Sequence, residues 1–358
     1  MKPRAYVYAT GVRSPAGTNT LEVATMLRTG VPVIGGSPLE GDDPRVGMAM
    51  GLERTLPPTL FGPERAAALL RLALLELTQT CRAAPRGVEP RELSLRVALA
   101  LPEIEPGAGR SASAQRPLVA ELGRLAENQL GAADVRYSPP NGPGGGAGAA
   151  TVLDDAITAL ERREVDAVVF GGCHTDYDPE RVKVLQATGR LFTSENPNAP
   201  LAGEGAAVVL LGRADLEGKT GLERRAAVFA IGTARSSLTP WNDASVLADD
   251  ALARCIEEVC QTLPEELGVG FAISDVTTEI FRVRELYHAI TRRAAQFVEP
   301  FAIDAPAQRI GALGAAALPL SLAIASDMFR RGYAPTPLGL LLAGNDEGER
   351  AAVLVGSA

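Results

Sequence analysis

NGPGGGAGAATVLDDAITALERREVDAVVFGG, residues 141–172, is a glycine-rich turn, an amphipathic helix and an apolar strand in succession. Apolar residues recur at helical spacing over 149–163, and DAVVFGG, 166–172, is the short unbroken apolar run of a strand buried on both faces. The start of such a helix gathers unpaired N–H groups and the positive end of the macrodipole, so it suits a phosphate or a thiolate nucleophile. At Gly146, in that place, the side chain is a hydrogen atom. Gly142, Gly144 and Ala147 match the dinucleotide pattern G-x-G-x-x-A. That fingerprint needs a strand directly before the glycines, and YSPPNGP, with three prolines, cannot be a central strand. The simplest reading of the glycines is close approach of a buried helix to its neighbours.

Working outward, a strand AYVYATG (5–11) opens the chain. A helix PERAAALLRLALLELTQTC (63–81), a strand RVALALP (96–102) and a helix PLVAELGRLAENQL (117–130) precede the glycine-rich turn. A further strand, AAVVLLG (206–212), follows it. Beyond that point the pattern returns: helix 249–263, strand 270–274, helix 284–297, a Gly/Ala-rich helix 311–332, and strands 338–344 and 351–357. Helix, strand, helix, glycine-rich helix, strand, strand thus occurs twice, a duplication of pattern without identity. Short apolar strands alternating with helices argue α/β layering. A chain of 358 residues is long for one core, and the halves are expected at 1–217 and 218–358, joined by the polar stretch 218–225.

A net charge of -8 argues against a basic surface for nucleic acid and against docking on anionic membranes. The apolar run GALGAAALPLSLAIA (311–325) holds Pro319 and is too short to span a bilayer, and MKPRAYVYATG has no signal-peptide core. Cys81, Cys173, Cys255 and Cys260 are scattered with no C-x-x-C pair, so neither a zinc site nor a disulfide framework is expected. Reduced thiols in a cytoplasmic protein are the reading that follows.

Four segments resemble the β-ketoacyl-acyl carrier protein synthases of the thiolase-like fold. VYATGVRSPAGTNTLEVATMLRTG (7–30) is similar to their opening strand, turn and first helix. GAATVLDDAITALERREVDAVVFGG (148–172) is similar to the helix and strand after their catalytic cysteine, and PLAGEGAAVVLLG (200–212) to their Gly-Glu-Gly-Ala strand entry. GALGAAALPLSLAIA is similar to the helix after their second catalytic histidine. The resemblance covers residues 3–357. It implies two pseudo-duplicated α/β halves in an α-β-α-β-α layering, and a dimer whose sheets join next to the nucleophile.

The family's chemistry uses a cysteine thiolate, two histidines (or a histidine and an asparagine) and an assisting lysine. Carried over by the resemblance, the cysteine falls on Gly146 and the first histidine on Ser274 in SDVTTE. The second histidine falls on Gly311 or Ala312, and the lysine near Pro306. The two histidines present, His174 and His288, stand elsewhere. The family's last strand runs into a Gly-Phe-Gly-Gly loop that lines the active site, and the chain is expected to lack it, stopping at VLVGSA where that loop would begin.

The expectation is therefore an inactive ketosynthase-like protein, a scaffold or partner subunit in a homodimer or a heterodimer with a thiolase-fold partner. An active ketosynthase, an acyl carrier protein or another protein would be its partner, an accessory role beside a type VI secretion effector included. YSPPNGP stands where the intersubunit strand would run and alters that edge. One alternative is a relocated acyl-thioester site in CHTDYD, at Cys173 and His174, although adjacent strand residues point to opposite faces. Cys173, His174, Asp176 and Asp178 also offer metal-ligand atoms, but consecutive positions seldom converge, and no metal or cofactor is expected. A second alternative is an acyl or coenzyme A thioester sensor. Glu204 reads as structural and Trp241 as an aromatic packed on the body or anchoring an interface.

Overall fold

Each apolar run predicted as a strand is one, and the sheet adds strands where the sequence gave weaker signals. The computed structural model describes residues 1–39, 47–87, 92–103, 112–131, 134–137, 144–241, 249–261, 263–264 and 267–358. The order is β1 (Ala5–Arg13), α1 (Thr20–Arg28), β2 (Gly35–Gly36), β3 (Ala49–Met50), α2 (Gly62–Arg82), β4 (Leu95–Ala100), α3 (Ala112–Leu130), β5 (Asp134–Tyr137), α4 (Gly145–Glu161), β6 (Ala167–Thr175), α5 (Pro179–Ala187), β7 (Glu204–Gly212) and α6 (Leu216–Thr220). It continues with β8 (Ala226–Arg235), α7 (Ala251–Cys260), β9 (Val269–Ser274), α8 (Ile280–Arg292), β10 (Phe297–Asp304), α9 (Ala307–Ile310), α10 (Ala317–Arg330), β11 (Leu338–Gly344) and β12 (Glu349–Gly356).

The strand order β10-β9-β11-β12-β8-β1-β7-β6-β4-β5 reads the same from its centre in both directions. From β1 outward, the pairings run antiparallel, antiparallel, parallel, parallel through β7, β6, β4 and β5. From β8 outward, the same sequence runs through β12, β11, β9 and β10. The two sets of five meet where Ala5–Val7 pairs antiparallel with Ala226–Val228. The duplication seen in the sequence is thus a duplication of topology, with β8 as the counterpart of β1.

The helices sort into three layers. α4 and α10 each pack against strands of both sets, and both are buried along most of their length. Their small Ala and Gly side chains let the strands of both sets close on them. α2 and α3 cover the outer face of the first five strands around Leu69, Leu77, Leu122 and Val169. α7 and α8 cover the second five around Ile256, Leu286 and Leu340. This is the α-β-α-β-α layering of the thiolase-like fold.

Local chemistry sets the helix ends that matter for the site. Asp178 caps α5 by accepting from the Glu180 N–H at 3.0 Å. α4 begins with no capping side chain, after Gly144 and the left-handed Gly145 (φ 66°), whose N–H donates to the Leu101 carbonyl at 3.1 Å. The helix expected at 311–332 is broken at its start: Gly311 (φ 82°) and a 3-10 turn over Gly314–Ala316 precede α10. Pro319 lies in the first turn of α10, where a missing N–H is tolerated. The YSPPNGP segment beyond Tyr137 lies outside the described residues.

Candidate functional site

A cavity of about 190 Å³ opens where the N-terminus of α4 meets the C-terminal ends of β6, β9 and β11. Strand C-termini are where α/β folds place ligands. Gly146 lines it. A Cβ built on Gly146 would lie 2.8 Å from Asp275 Oδ2 and 3.3 Å from Ala343 Cβ. Residue 146 therefore faces a carboxylate.

Asp275 is the first residue after β9, and its carboxylate is held from two sides. The Gly344 N–H donates to Oδ2 at 2.8 Å, and an Arg282 guanidinium N–H to Oδ1 at 3.1 Å. Arg282 also donates to Glu285 at 3.1 Å, and Glu285 accepts from the fully buried Arg350 at 2.5 Å. Two acids and two bases thus form a charge-neutral buried chain, which is the condition for burying ions at all. Burial raises the Asp275 carboxyl above its ordinary range, against the opposing pull of Arg282.

The remaining positions assigned by resemblance carry no ionisable side chain. Ser274 is buried at the end of β9 and is not among the cavity residues, its hydroxyl facing the Val276 N–H. Ala312 lines the cavity with a methyl group, and its N–H donates to the Leu201 carbonyl at 2.8 Å. Gly311 is packed against the Ala202–Gly203 backbone, where a side chain would meet the Ala202 oxygen at 2.2 Å. Pro306 is the residue before α9. β12 runs to Gly356 between β11 and β8, and the turn from β11 to β12, Gly344, Asn345 and Asp346, forms a wall of the cavity.

Cys173 and His174 part company, as the pleat requires. Cys173 is fully buried in the outer cluster with α2, and burial pushes its thiol up to about 12. His174 lines the cavity, its Nε2 3.2 Å from Asp176 Oδ1. Asp176 also accepts from the Gly203 N–H and from Arg181 Nε, each at 3.0 Å. Burial alone would raise its carboxyl, but His174, Arg181 and the Gly203 N–H outweigh burial and hold it well below the ordinary range. The ring lies against Gly314, where a Cβ would come within 2.4 Å of Nδ1. Among the described residues no group of three His, Cys, Asp or Glu side chains is arranged to hold a metal ion.

Sequence reasoning missed Glu103, Arg190, Glu279 and Asp346, which line the same cavity. Arg190 joins Glu279 at 3.1 Å and pairs with Asp346, and its guanidinium lies 4.7 Å over the Trp241 ring. Glu103 accepts the Asp346 N–H at 2.7 Å. Burial, with the Asp346 charge beside it, holds the Glu103 carboxyl well above the usual range. Glu204 lies outside the cavity lining: it takes a two-pronged contact from Arg65 at 2.6 and 2.8 Å and the Glu53 N–H at 2.7 Å.

Comparison with known proteins agrees with this architecture. The chain is similar over its whole length to a type II polyketide synthase ketosynthase solved with its acyl carrier protein and bound to the hexaketide, with 14% identity, TM-score 0.80 and full coverage of both chains. It is likewise similar to the ishigamide ketosynthase/chain length factor, with 15% identity, TM-score 0.78 and full coverage of both. A β-ketoacyl synthase from Burkholderia phymatum STM815 matches with 12% identity, TM-score 0.74 and full coverage of both. No family model matches the chain, and neither does any curated protein. The fold is that of the ketosynthases, the thiolase-like class. Among the described residues no helix is long and apolar enough to cross a membrane.

Proposed function

We propose that this chain is a ketosynthase-fold protein without condensing activity that acts as a partner subunit. One observation carries the reading: a carboxylate, Asp275, stands 2.8 Å from where a side chain at residue 146 would begin. Attack on a thioester needs a thiolate there and donors for the oxyanion. The site offers a glycine, a negative charge that would oppose both the thiolate and the oxyanion, and Ala312 where a second histidine would stand. Two of the similar structures are themselves assemblies, a ketosynthase with its carrier protein and a ketosynthase/chain length factor, which supports a role in assembly. The partner is a second copy or a thiolase-fold subunit, in the cytoplasm. β5, a four-residue strand at the sheet's end, is the edge on which the resemblance would put it.

The test is intact-protein mass after incubation with acyl-coenzyme A and acyl carrier protein thioesters, with Cys173→Ser beside it. The reading expects no acyl adduct on either protein, and a complex with a ketosynthase encoded nearby on co-purification. An adduct lost in Cys173→Ser would overturn it in favour of a relocated nucleophile. The relocated-site reading keeps one supporting feature, the cavity-facing His174 with Asp176, and loses Cys173 to burial. A gene-neighbourhood survey separates a ketosynthase partner from a secretion-effector one.

A further inference from the structure

We infer that the cavity beside Gly146 binds a small organic cation, an amine or amidine, with Glu103 and His174 as its polar contacts. The inference goes beyond the partner-subunit reading and stands or falls separately from it.

The first ground is charge. Six carboxylates and three guanidinium groups line the cavity. Every one of the three arginines is taken by acids: Arg181 by Asp176, Arg190 by Glu279 and Asp346, Arg282 by Asp275 and Glu285. Glu103 has no ion-pair partner among the described residues, and only its Oε1 accepts a hydrogen bond, from the Asp346 N–H. Its Oε2 turns toward Gly145, 3.3 Å from where a Cβ there would lie. Glu103 is half-buried, and a carboxylate drawn partly out of water without a cation favours protonation or a cation from outside. Its carboxyl is indeed held well above the ordinary range.

The second ground is His174, an independent feature of the same wall. The residue is 9% exposed, and its buried Nε2 makes no aligned hydrogen bond although Asp176 is near. With the proton on Nε2 facing Asp176, Nδ1 presents a lone pair beside Gly314, itself a cavity residue. Gly314 admits the imidazole only because it lacks a Cβ. Glu103 and the His174 Nδ1 are thus acceptor side chains on the cavity, whereas the guanidinium donors are committed within the protein. A ligand that donates and carries positive charge complements such a wall, and an acyl thioester does not. Apolar side chains on the other side, Ala66, Leu118 and Leu313 among them, suit a short methylene chain.

Isothermal titration of the full-length protein with putrescine, agmatine and benzamidine tests the inference, with 1,4-butanediol and butyrate as uncharged and anionic controls. The expected result is binding of at least one cation, none of either control, and a loss of at least ten-fold in affinity in Glu103→Gln. His174→Asn is expected to weaken the same cation, and it carries the test should Glu103→Gln fail to fold. Three outcomes overturn the inference: no cation binds below about 1 mM; butanediol binds as tightly as putrescine; or the folded variants bind as the wild type does. None of these outcomes bears on acyl transfer, which the mass experiment reads.

Discussion

Asp275 Oδ2 lies 2.8 Å from the point where a Cβ on Gly146 would sit, and it is pinned there by the Gly344 N–H and Arg282. Placing a cysteine at 146 is therefore not expected to create a nucleophile. Gly146→Cys is expected to give no acyl adduct and to destabilise the fold by about 1–3 kcal/mol, because the carboxylate cannot swing away without losing both partners. Gly146→Cys combined with Asp275→Ala should recover part of the space, so the two changes are non-additive in urea unfolding. A fully additive pair would show that the contact is relieved some other way.

The cysteines are chemically quiet. Cys173 and Cys255 are both pushed up to about 12 by burial, and Cys260 to about 11. All four thiols are buried and unpaired with one another. Ellman's reagent at pH 8 is expected to leave the folded protein essentially unlabelled and to titrate four thiols in denaturant. Fast labelling of Cys173 in the folded protein would revive the relocated nucleophile.

The Arg65–Glu204 pair ties α2 to β7 with both side chains at or below 1% exposure. Glu204→Gln leaves a buried guanidinium short of its counter-charge, and the expected loss is roughly 3–5 kcal/mol in urea unfolding. Replacing both partners by Met and Leu should cost much less than the single change. Equal losses would mean that shape rather than charge holds this corner.

Glu103 links stability to pH with a defined sign. Its folded-state carboxyl is held above the unfolded value, so the folded form binds that proton more tightly. The stabilisation is full below the ordinary carboxylate range and is lost as pH rises through the raised value. Asp275 and Glu279, raised mainly by burial, add slopes of the same sign. Glu103→Gln should flatten the decline, so that at pH 8 the variant is at least as stable as the wild type by thermal unfolding. A variant that loses stability only at high pH contradicts this.

The interior of the fold was legible because burial on both faces leaves an unmistakable trace. β6, β7, β9, β11 and β12 carry short apolar runs, and α4 and α10 are rich in small apolar residues. The strands that escaped notice sit where that trace fades. β10 is half exposed at the sheet edge and contains Pro300, and β5 has four residues with one charged side chain at each of two positions. β8 starts apolar and ends in exposed positions, which blurs its period. The site was half legible. Gly146 and Ala312 (the latter one of the pair Gly311/Ala312) are positions the resemblance pointed to and they line the cavity, whereas Asp275, the residue after Ser274, was not singled out. Glu103, Arg190, Arg282 and Asp346 come from four separate segments, and nothing in a linear spacing announces that they meet. One signal was available: an Asp directly after the buried strand VGFAIS is a charge brought to the edge of a core, and such a charge needs a partner.

α4 carries two unrelated duties along one axis. Its body, from Ala147 to Leu160, is wedged between the two sheets and is part of what keeps them apart at the right spacing. Only its first turn, Gly145 and Gly146, looks onto the cavity. The chemistry at that mouth is therefore set by one turn, and the support of the strands by the turns that follow. The residue at 146 thus belongs to the lining of the cavity, and the support of the strands rests on the residues that follow it in the same helix.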